Sequence, residues 1–260
     1  MNFSISLKSF ENHFSGLQNL LAVAISCFNQ TQFLFCSSTA SVSAQMSPIL
    51  ERVSSNPTDA NSLGYSRSKW VAEAICDAAS QTPGMSGRVS ILRIGQLTGD
   101  TVNGIWNMSE AWPLMLSTVD TLGCLPRLEE KLSWLPMDIA AKAVLDIAFQ
   151  MTRTDDTCLV YHVVSNDTTS DWMDLLGWIQ KKGARFNIEF LNVWLEKLDR
   201  EPSHPAKSLS ELWKDRNEGS KMVYDTFYAS MASESLRSFV SIDEEFVGRI
   251  WDWIQTQSIS

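Results

Sequence analysis

Thr31-Gln32-Phe33-Leu34-Phe35-Cys36 and Arg88-Val89-Ser90-Ile91-Leu92-Arg93-Ile94 are the stretches that decide the fold. Each is a short apolar run bounded by polar or turn-forming residues, the pattern of a strand buried on both faces. Before the first run, Phe10, Phe14, Leu17, Leu20, Leu21, Ala24, Ile25 and Phe28 recur at helical spacing and predict a helix over Leu7–Phe28. After it come the small residues of Ser37–Ser47 and a polar loop through Asn56-Pro57 and Asn61–Gly64. A second helix is expected over Tyr65–Ser80, ending before Pro83-Gly84 and Gly87. A third helix, capped by Asp138, runs to Gln150, and Cys158–Val164 supplies a further strand. This alternation specifies a parallel sheet with crossover helices, whose active sites lie at the carboxyl ends of the strands. The stretches after Cys36 and after Ile94 are two such ends.

The 260 residues are 44% hydrophobic and 20% charged, which excludes a disordered chain or a coiled coil and predicts a packed core. A net charge of −9 argues against nucleic acid as a partner, since such binders carry a basic face. The five cysteines (Cys27, Cys36, Cys76, Cys124, Cys158) form no C-x-x-C, so neither a disulfide framework nor a zinc site is read, and reduced cysteines are expected. Leu20–Phe28 is too short to span a bilayer and follows Lys8 and Glu11 instead of a basic leader. The expectation is therefore a cytoplasmic protein without a membrane partner, in which the sequons at Asn2, Asn29, Asn107 and Asn166 arise by chance.

The chemistry concentrates in Gly64-Tyr65-Ser66-Arg67-Ser68-Lys69-Trp70-Val71-Ala72-Glu73. A tyrosine and a lysine four apart share a helix face. A phenol with a pKa of about 10 is a poor acid–base group at neutral pH, and a neighbouring ammonium moves it toward usefulness. Alone the spacing is a weak signal, equally an exposed helical pair. Its context strengthens it, because the strand ending Cys36-Ser37-Ser38-Thr39 brings a hydroxyl to the same sheet edge.

With those residues the sequence resembles the extended short-chain dehydrogenase/reductase family, whose Ser/Thr, Tyr and Lys triad matches Ser38, Tyr65 and Lys69. The segments Asn2–Glu11, Gly16–Leu20, Gly64–Glu73, Leu92–Asp100 and Trp134–Asp138 narrow the similarity to the terminal thioester reductase domains of fungal nonribosomal-peptide-synthetase-like and polyketide enzymes, to which domains of carboxylic acid and aminoadipate reductases are related. The resemblance implies an α/β fold: an N-terminally truncated Rossmann-like parallel sheet over 1–150, and a smaller, mostly helical substrate-binding or lid region over 151–260. It implies NADPH-dependent reduction of an acyl thioester, held on a phosphopantetheinylated carrier protein, to an aldehyde or further to an alcohol, in secondary metabolism. Ser38, Tyr65 and Lys69 would be catalytic, Tyr65 and Lys69 would also touch the cofactor ribose, and Ile94-Gly95 would line the nicotinamide.

The family opens with a glycine-rich strand–turn–helix that binds the cofactor pyrophosphate, and no such spacing of glycines occurs in this sequence. A fragment with an unpaired sheet edge is expected on that ground. Loss of that loop keeps two rivals open: redox-silent release by Dieckmann-type cyclisation, and an inactive remnant or carrier-docking module.

Other residues receive plainer readings. His13, His162 and His204 are isolated and are assigned surface or core roles, with no metal site. Glu129-Glu130, Asp155-Asp156 and Asp243–Glu245 are read as solvated acids. Trp106, Trp112, Pro113 and Trp134 either line a substrate channel or pack in the core, while Trp172, Trp178, Trp194, Trp213, Trp251 and Trp253 are packing anchors. From Ser170 the chain reads as mostly helical, with Ser241-Ile242-Asp243-Glu244 as a capping box for a last helix to about Gln255 that turns Ile250, Trp253 and Ile254 inward.

Overall fold

The computed structural model describes residues 5–27, 31–150, 159–214 and 222–258. Asn2-Phe3-Ser4, Phe28, Asn29, Asp155-Asp156 and Cys158 lie outside them. In chain order the elements are α1 (Glu11–Ser26), β1 (Phe33–Ser38), α2 (Gly64–Ser80), β2 (Val89–Ile94), β3 (Leu97–Thr98), α3 (Ala111–Leu122), β4 (Cys124–Arg127), β5 (Leu135–Pro136), α4 (Met137–Gln150), β6 (Leu159–Val163), α5 (Trp172–Lys181), β7 (Asn187–Phe190), α6 (Leu191–Asp199), α7 (Ser210–Lys214), α8 (Phe227–Ala232), α9 (Glu234–Ser238) and α10 (Glu244–Ser258). A 3-10 turn, Leu7–Phe10, leads into α1, so the expected first helix begins as a tighter turn.

The central sheet is parallel, in the order β1-β2-β6. Period-two alternation along the strands builds the layers. Val89 and Ile91 of β2, Phe33 and Phe35 of β1 and Val160 of β6 pack with Leu17, Leu21 and Ala24 of α1 and Ala72 and Cys76 of α2. Leu92, Leu159, Tyr161 and Val163 turn to the other face, against Ala140, Ala143 and Ile147 of α4 and Ala229 of α8. This is the α/β sandwich that the alternating pattern specifies.

A second core joins residues 106–134 to the C-terminal helices. Trp106, Trp112, Trp134, Trp172, Trp194 and Trp213 are all buried in it. Trp112 stands at its centre, with ring centroids 4.7 Å from Trp134, 5.2 Å from Trp172 and 5.0 Å from Trp213. Of the two readings of Trp106, Trp112 and Trp134, core packing is the one observed. Trp251 is also buried, while Trp178 and Trp253 pack from the margin.

The region after Ser170 is mostly helical, and a short strand within it, β7, pairs in parallel with β4. Two expectations about helix starts need correction. The last helix is not opened by a Ser241–Glu244 box: it starts at Glu244, and the Asp243 carboxylate accepts the Phe246 N–H at 2.8 Å. A shorter acid immediately before the helix reaches that donor and takes the cap position. Ile250 and Ile254 are buried as expected. Asp138 lies inside the first turn of α4, where its carboxylate accepts from the Thr101 N–H (3.0 Å) and hydroxyl (2.6 Å) instead of capping.

Candidate active site

The site is built where β1, β2 and β6 end. In register, Ser38 pairs with Ile94, and Ile94 with Val163, so these residues form the last row of the sheet. Ser38 is where the strand stops: its Oγ accepts the Ala40 N–H at 3.2 Å and caps the 3-10 turn Thr39–Val42. Gly95 follows and donates its N–H to the Val163 carbonyl at 3.0 Å. A Cβ on Gly95 would stand 2.9 Å from Val164 Cγ1, so glycine here lets β6 approach the turn.

Tyr65 and Lys69 lie on successive turns of α2, which packs on β1. Lys69 Nζ donates to the Cys36 carbonyl at 3.1 Å, two residues before Ser38, and lies 5.7 Å from the Tyr65 ring centroid and 5.2 Å from that of Phe35. Half burial holds the lysine below its usual range, while Cys36 and Glu73 pull it upward. The start of α2 is fixed by close backbone approach, since a Cβ on Gly64 would lie 2.0 Å from the Ile5 carbonyl oxygen. The structure thus brings Lys69 to β1 and to Tyr65, and sets Ser38 beside Ile94.

One register step below that last row lies a second row that is polar and buried: Ser37, Arg93 and His162, neighbours across the three strands. Glu73 of α2 meets the first two, and His162 joins through Arg93. The Glu73 carboxylate accepts from the Ser37 hydroxyl at 2.6 Å and from Arg93 Nη2 at 2.7 Å and Nε at 3.1 Å. Arg93 Nη1 lies 3.2 Å from His162 Nε2, and His162 Nδ1 is 2.6 Å from the Asp225 carbonyl oxygen. That carbonyl can only accept, so Nδ1 carries the proton and Nε2 accepts from Arg93. Burial, followed by the Arg93 charge, depresses the His162 pKa to about 4.

The C-terminal region is tied to the same end of the sheet. The Glu51 carboxylate accepts from the N–H groups of His162 (2.8 Å), Tyr228 (2.5 Å) and Ala229 (3.0 Å), and burial raises its pKa to about 7 against these bonds. Tyr224 stacks edge-on to His162 at 5.3 Å, and its phenol is raised by burial and touched by the Thr39 hydroxyl. Glu51, His162 and Tyr224 were assigned no chemistry from sequence. For His162 the available signal was a polar residue just before the end of an apolar strand, as with Ser37 and Arg93; Glu51 and Tyr224 lie in loops, where no local pattern marks them.

Among the described residues no group of three or more His, Cys, Asp or Glu is arranged to hold a metal ion. No helix among them is long and apolar enough to cross a membrane.

Residues 7–144 match the NAD-binding family described as "Male sterility protein". A non-ribosomal peptide synthetase of Acremonium egyptiacum is 30% identical over 100% of this chain and 25% of its own length. An adenylate-forming reductase of Stachybotrys bisbyi is 31% identical over 82% of the chain and 21% of its length. The chain therefore spans a quarter or less of these curated relatives. Among solved structures, the terminal R domain from the myxalamid PKS-NRPS biosynthetic pathway superposes with a TM-score of 0.82 at 20% identity, over 99% of this chain and 66% of that one. By the match over more than half its length, the chain belongs to the Male sterility protein family of NAD-binding domains, and its fold is that of the reductase domains found at the ends of such synthetases.

Proposed function

We propose that the protein reduces an acyl thioester, carried on the phosphopantetheine arm of a carrier protein, to an aldehyde with NADPH, and that Ser38, Tyr65 and Lys69 carry the reaction. The observation that supports this most is the Lys69 ammonium, half-buried against the Cys36 carbonyl and beside the Tyr65 ring at the carboxyl end of the parallel sheet. A cation, a phenol and a hydroxyl at one strand end suit the nicotinamide end of the cofactor: Lys69 and Tyr65 would hold the ribose, and Ile94-Gly95 would flank the ring.

The cofactor supplies hydride to the thioester carbonyl carbon. The chain's own residues govern the oxygen. Tyr65 and Ser38 donate hydrogen bonds to it as negative charge develops, which stabilises the transition state more than the ground state. Tyr65 then gives up its proton to the alkoxide, and the Lys69 charge stabilises the tyrosinate that remains. The resulting hemithioacetal expels the pantetheine thiol and leaves the aldehyde. A relative described as a reductase favours this over redox-silent cyclisation. In this reading residues 1–150 hold the cofactor, and residues 151–260 receive the acyl chain.

The test is NADPH binding to the purified chain, followed by nicotinamide fluorescence. Micromolar binding, weakened tenfold or more by Lys69→Ala, is expected from the loss of a partly desolvated charged contact, worth about 1.5–3 kcal/mol. A folded protein that binds no NADPH, or binds it equally well after Lys69→Ala, overturns the assignment.

A further inference from the structure

Glu73 has no part in the mechanism above, yet it joins the two halves of the site. It lies one turn beyond Lys69 on α2, so Tyr65, Lys69 and Glu73 form an i, i+4, i+8 stripe that faces the strand ends. Its side chain is 1% exposed, and among the described residues its partner Arg93 is the more deeply buried charged group. Five polar contacts converge on the carboxylate. Ser37 Oγ is 2.6 Å from Oε1, Arg93 Nε is 3.1 Å from each oxygen, and Arg93 Nη2 is 2.7 Å from Oε2. Ser41 Oγ is 2.6 Å from Oε1 and also 2.9 Å from the carbonyl of Ser38.

Ser37 precedes Ser38 and Ser41 closes the turn after it, so the carboxylate clamps both sides of the residue that presents the reacting hydroxyl. Arg93 and His162 fix the carboxylate in turn. A buried pair held only for stability is readily replaced by apolar residues. Here the pair sits under the last row of the sheet, and a lysine one turn away shares its field.

We propose that Glu73 is a positioning residue of the site: it sets the turn that carries Ser38 through Ser37 and Ser41, and it supplies the counter-charge to the Lys69 ammonium. Arg93 and His162 act behind it, holding the carboxylate at one orientation. The titratable and charged groups around the stripe are Tyr65 and Asp77 on α2, Cys76 on α2, Cys36 on β1, Arg93 on β2, and His162 on β6 with Glu51 and Tyr224 beyond it. Of these, Cys36 and Glu73 act on Lys69 in the direction that keeps it protonated.

The proposal rests on the reductase reading for its kinetic consequence only, and the experiment separates the two. The full chain is labelled with 13C-lysine, the Lys69 signal is assigned by its loss in Lys69→Arg, and its titration is followed by NMR in the wild type, Glu73→Gln and Glu73→Asp. Glu73→Gln is expected to lower the Lys69 midpoint by about one pH unit, and Glu73→Asp, which keeps the charge, to leave it at the wild-type value. If Glu73→Gln does not fold, Glu73→Gln/Arg93→Met, which leaves no buried charge unpaired, is expected to move the midpoint in the same direction. A folded variant of either kind with an unmoved midpoint overturns the proposal and leaves Glu73 a structural ion pair. In thioester reduction with NADPH, the alkaline limb of kcat is expected to follow the Lys69 midpoint while KM stays constant. A wild type that consumes no NADPH sinks the reductase reading, and the Lys69 titration still decides the role of Glu73.

Discussion

Two of the buried clusters in this protein are made of opposite chemistry. Under the strand ends, Ser37, Glu73, Arg93 and His162 bury charge and satisfy it through hydrogen bonds with defined directions. Below the C-terminal helices, Trp106, Trp112, Trp134, Trp172, Trp194 and Trp213 bury ring surface, with few polar constraints such as Trp172 Nε1 donating to the Pro126 carbonyl at 2.7 Å and Trp194 Nε1 to Thr118 Oγ1 at 3.1 Å. Ring packing is non-directional and tolerates small shifts; a carboxylate with five polar contacts does not. The polar cluster is placed where geometry must be held, at the ends of β1 and β2, and the aromatic one where volume must be filled.

That contrast can be broken by substitution. Trp112→Ala is expected to cost about 3–5 kcal/mol of stability, because the neighbouring rings of Trp134, Trp172 and Trp213 cannot collapse into the space. Urea denaturation measures it, and a loss under about 1 kcal/mol would mean that the aromatic core is plastic. Arg93→Met is expected to cost a similar 3–5 kcal/mol by leaving Glu73 buried without its cation, and Arg93→Met/Glu73→Leu to recover most of it. No second substitution among the tryptophans should recover stability in that way.

The polar cluster also carries a pH signature that the aromatic one lacks. His162 titrates at about 4 in the folded protein and near 6.5 when unfolded, so the unfolded chain binds the extra proton between these values. Stability from this group is present above pH 6.5 and is lost as the pH falls toward 4, by about 3 kcal/mol in all. Glu51, raised from 4.5 to about 7, acts with the opposite sign: its contribution is present below 4.5 and is lost as the pH rises through 7. Comparing urea midpoints of the wild type and His162→Gln from pH 7 to 4 isolates the histidine, since Glu51 is common to both. Parallel curves would remove His162 from the account. The smallest expected effect is that of Ser37→Ala, about 1–2 kcal/mol for one hydrogen bond to a charged group, read from the same denaturation curves.

The two clusters were unequally legible in the sequence. The strands Phe33–Ser38 and Val89–Ile94 and the helix Gly64–Ser80 stand within about two residues of where their apolar runs and turn formers place them. The stripe Tyr65–Lys69 is local, one helical turn, and could be read directly. The row Ser37, Arg93, His162 could not: its members lie 36 and 69 residues from their partners Glu73 and Arg93, and only the parallel register brings them together. The short strand Asn187–Phe190 was missed for a similar reason, because its pairing with Cys124–Arg127 is long-range while its local pattern is weak. The tryptophans were visible as anchors, but whether three of them lined a channel depended on packing that no spacing encodes.

The most direct test of the central claim, that the α2 stripe works on the strand end as a reductase, is NADPH consumption with a pantetheine thioester by the 260-residue protein beside its Tyr65→Phe variant. The account predicts turnover by the wild type and a loss of about a hundredfold or more in kcat for Tyr65→Phe, with both proteins equally folded. Equal rates in the two proteins, or a folded wild type that leaves NADPH untouched, would contradict it.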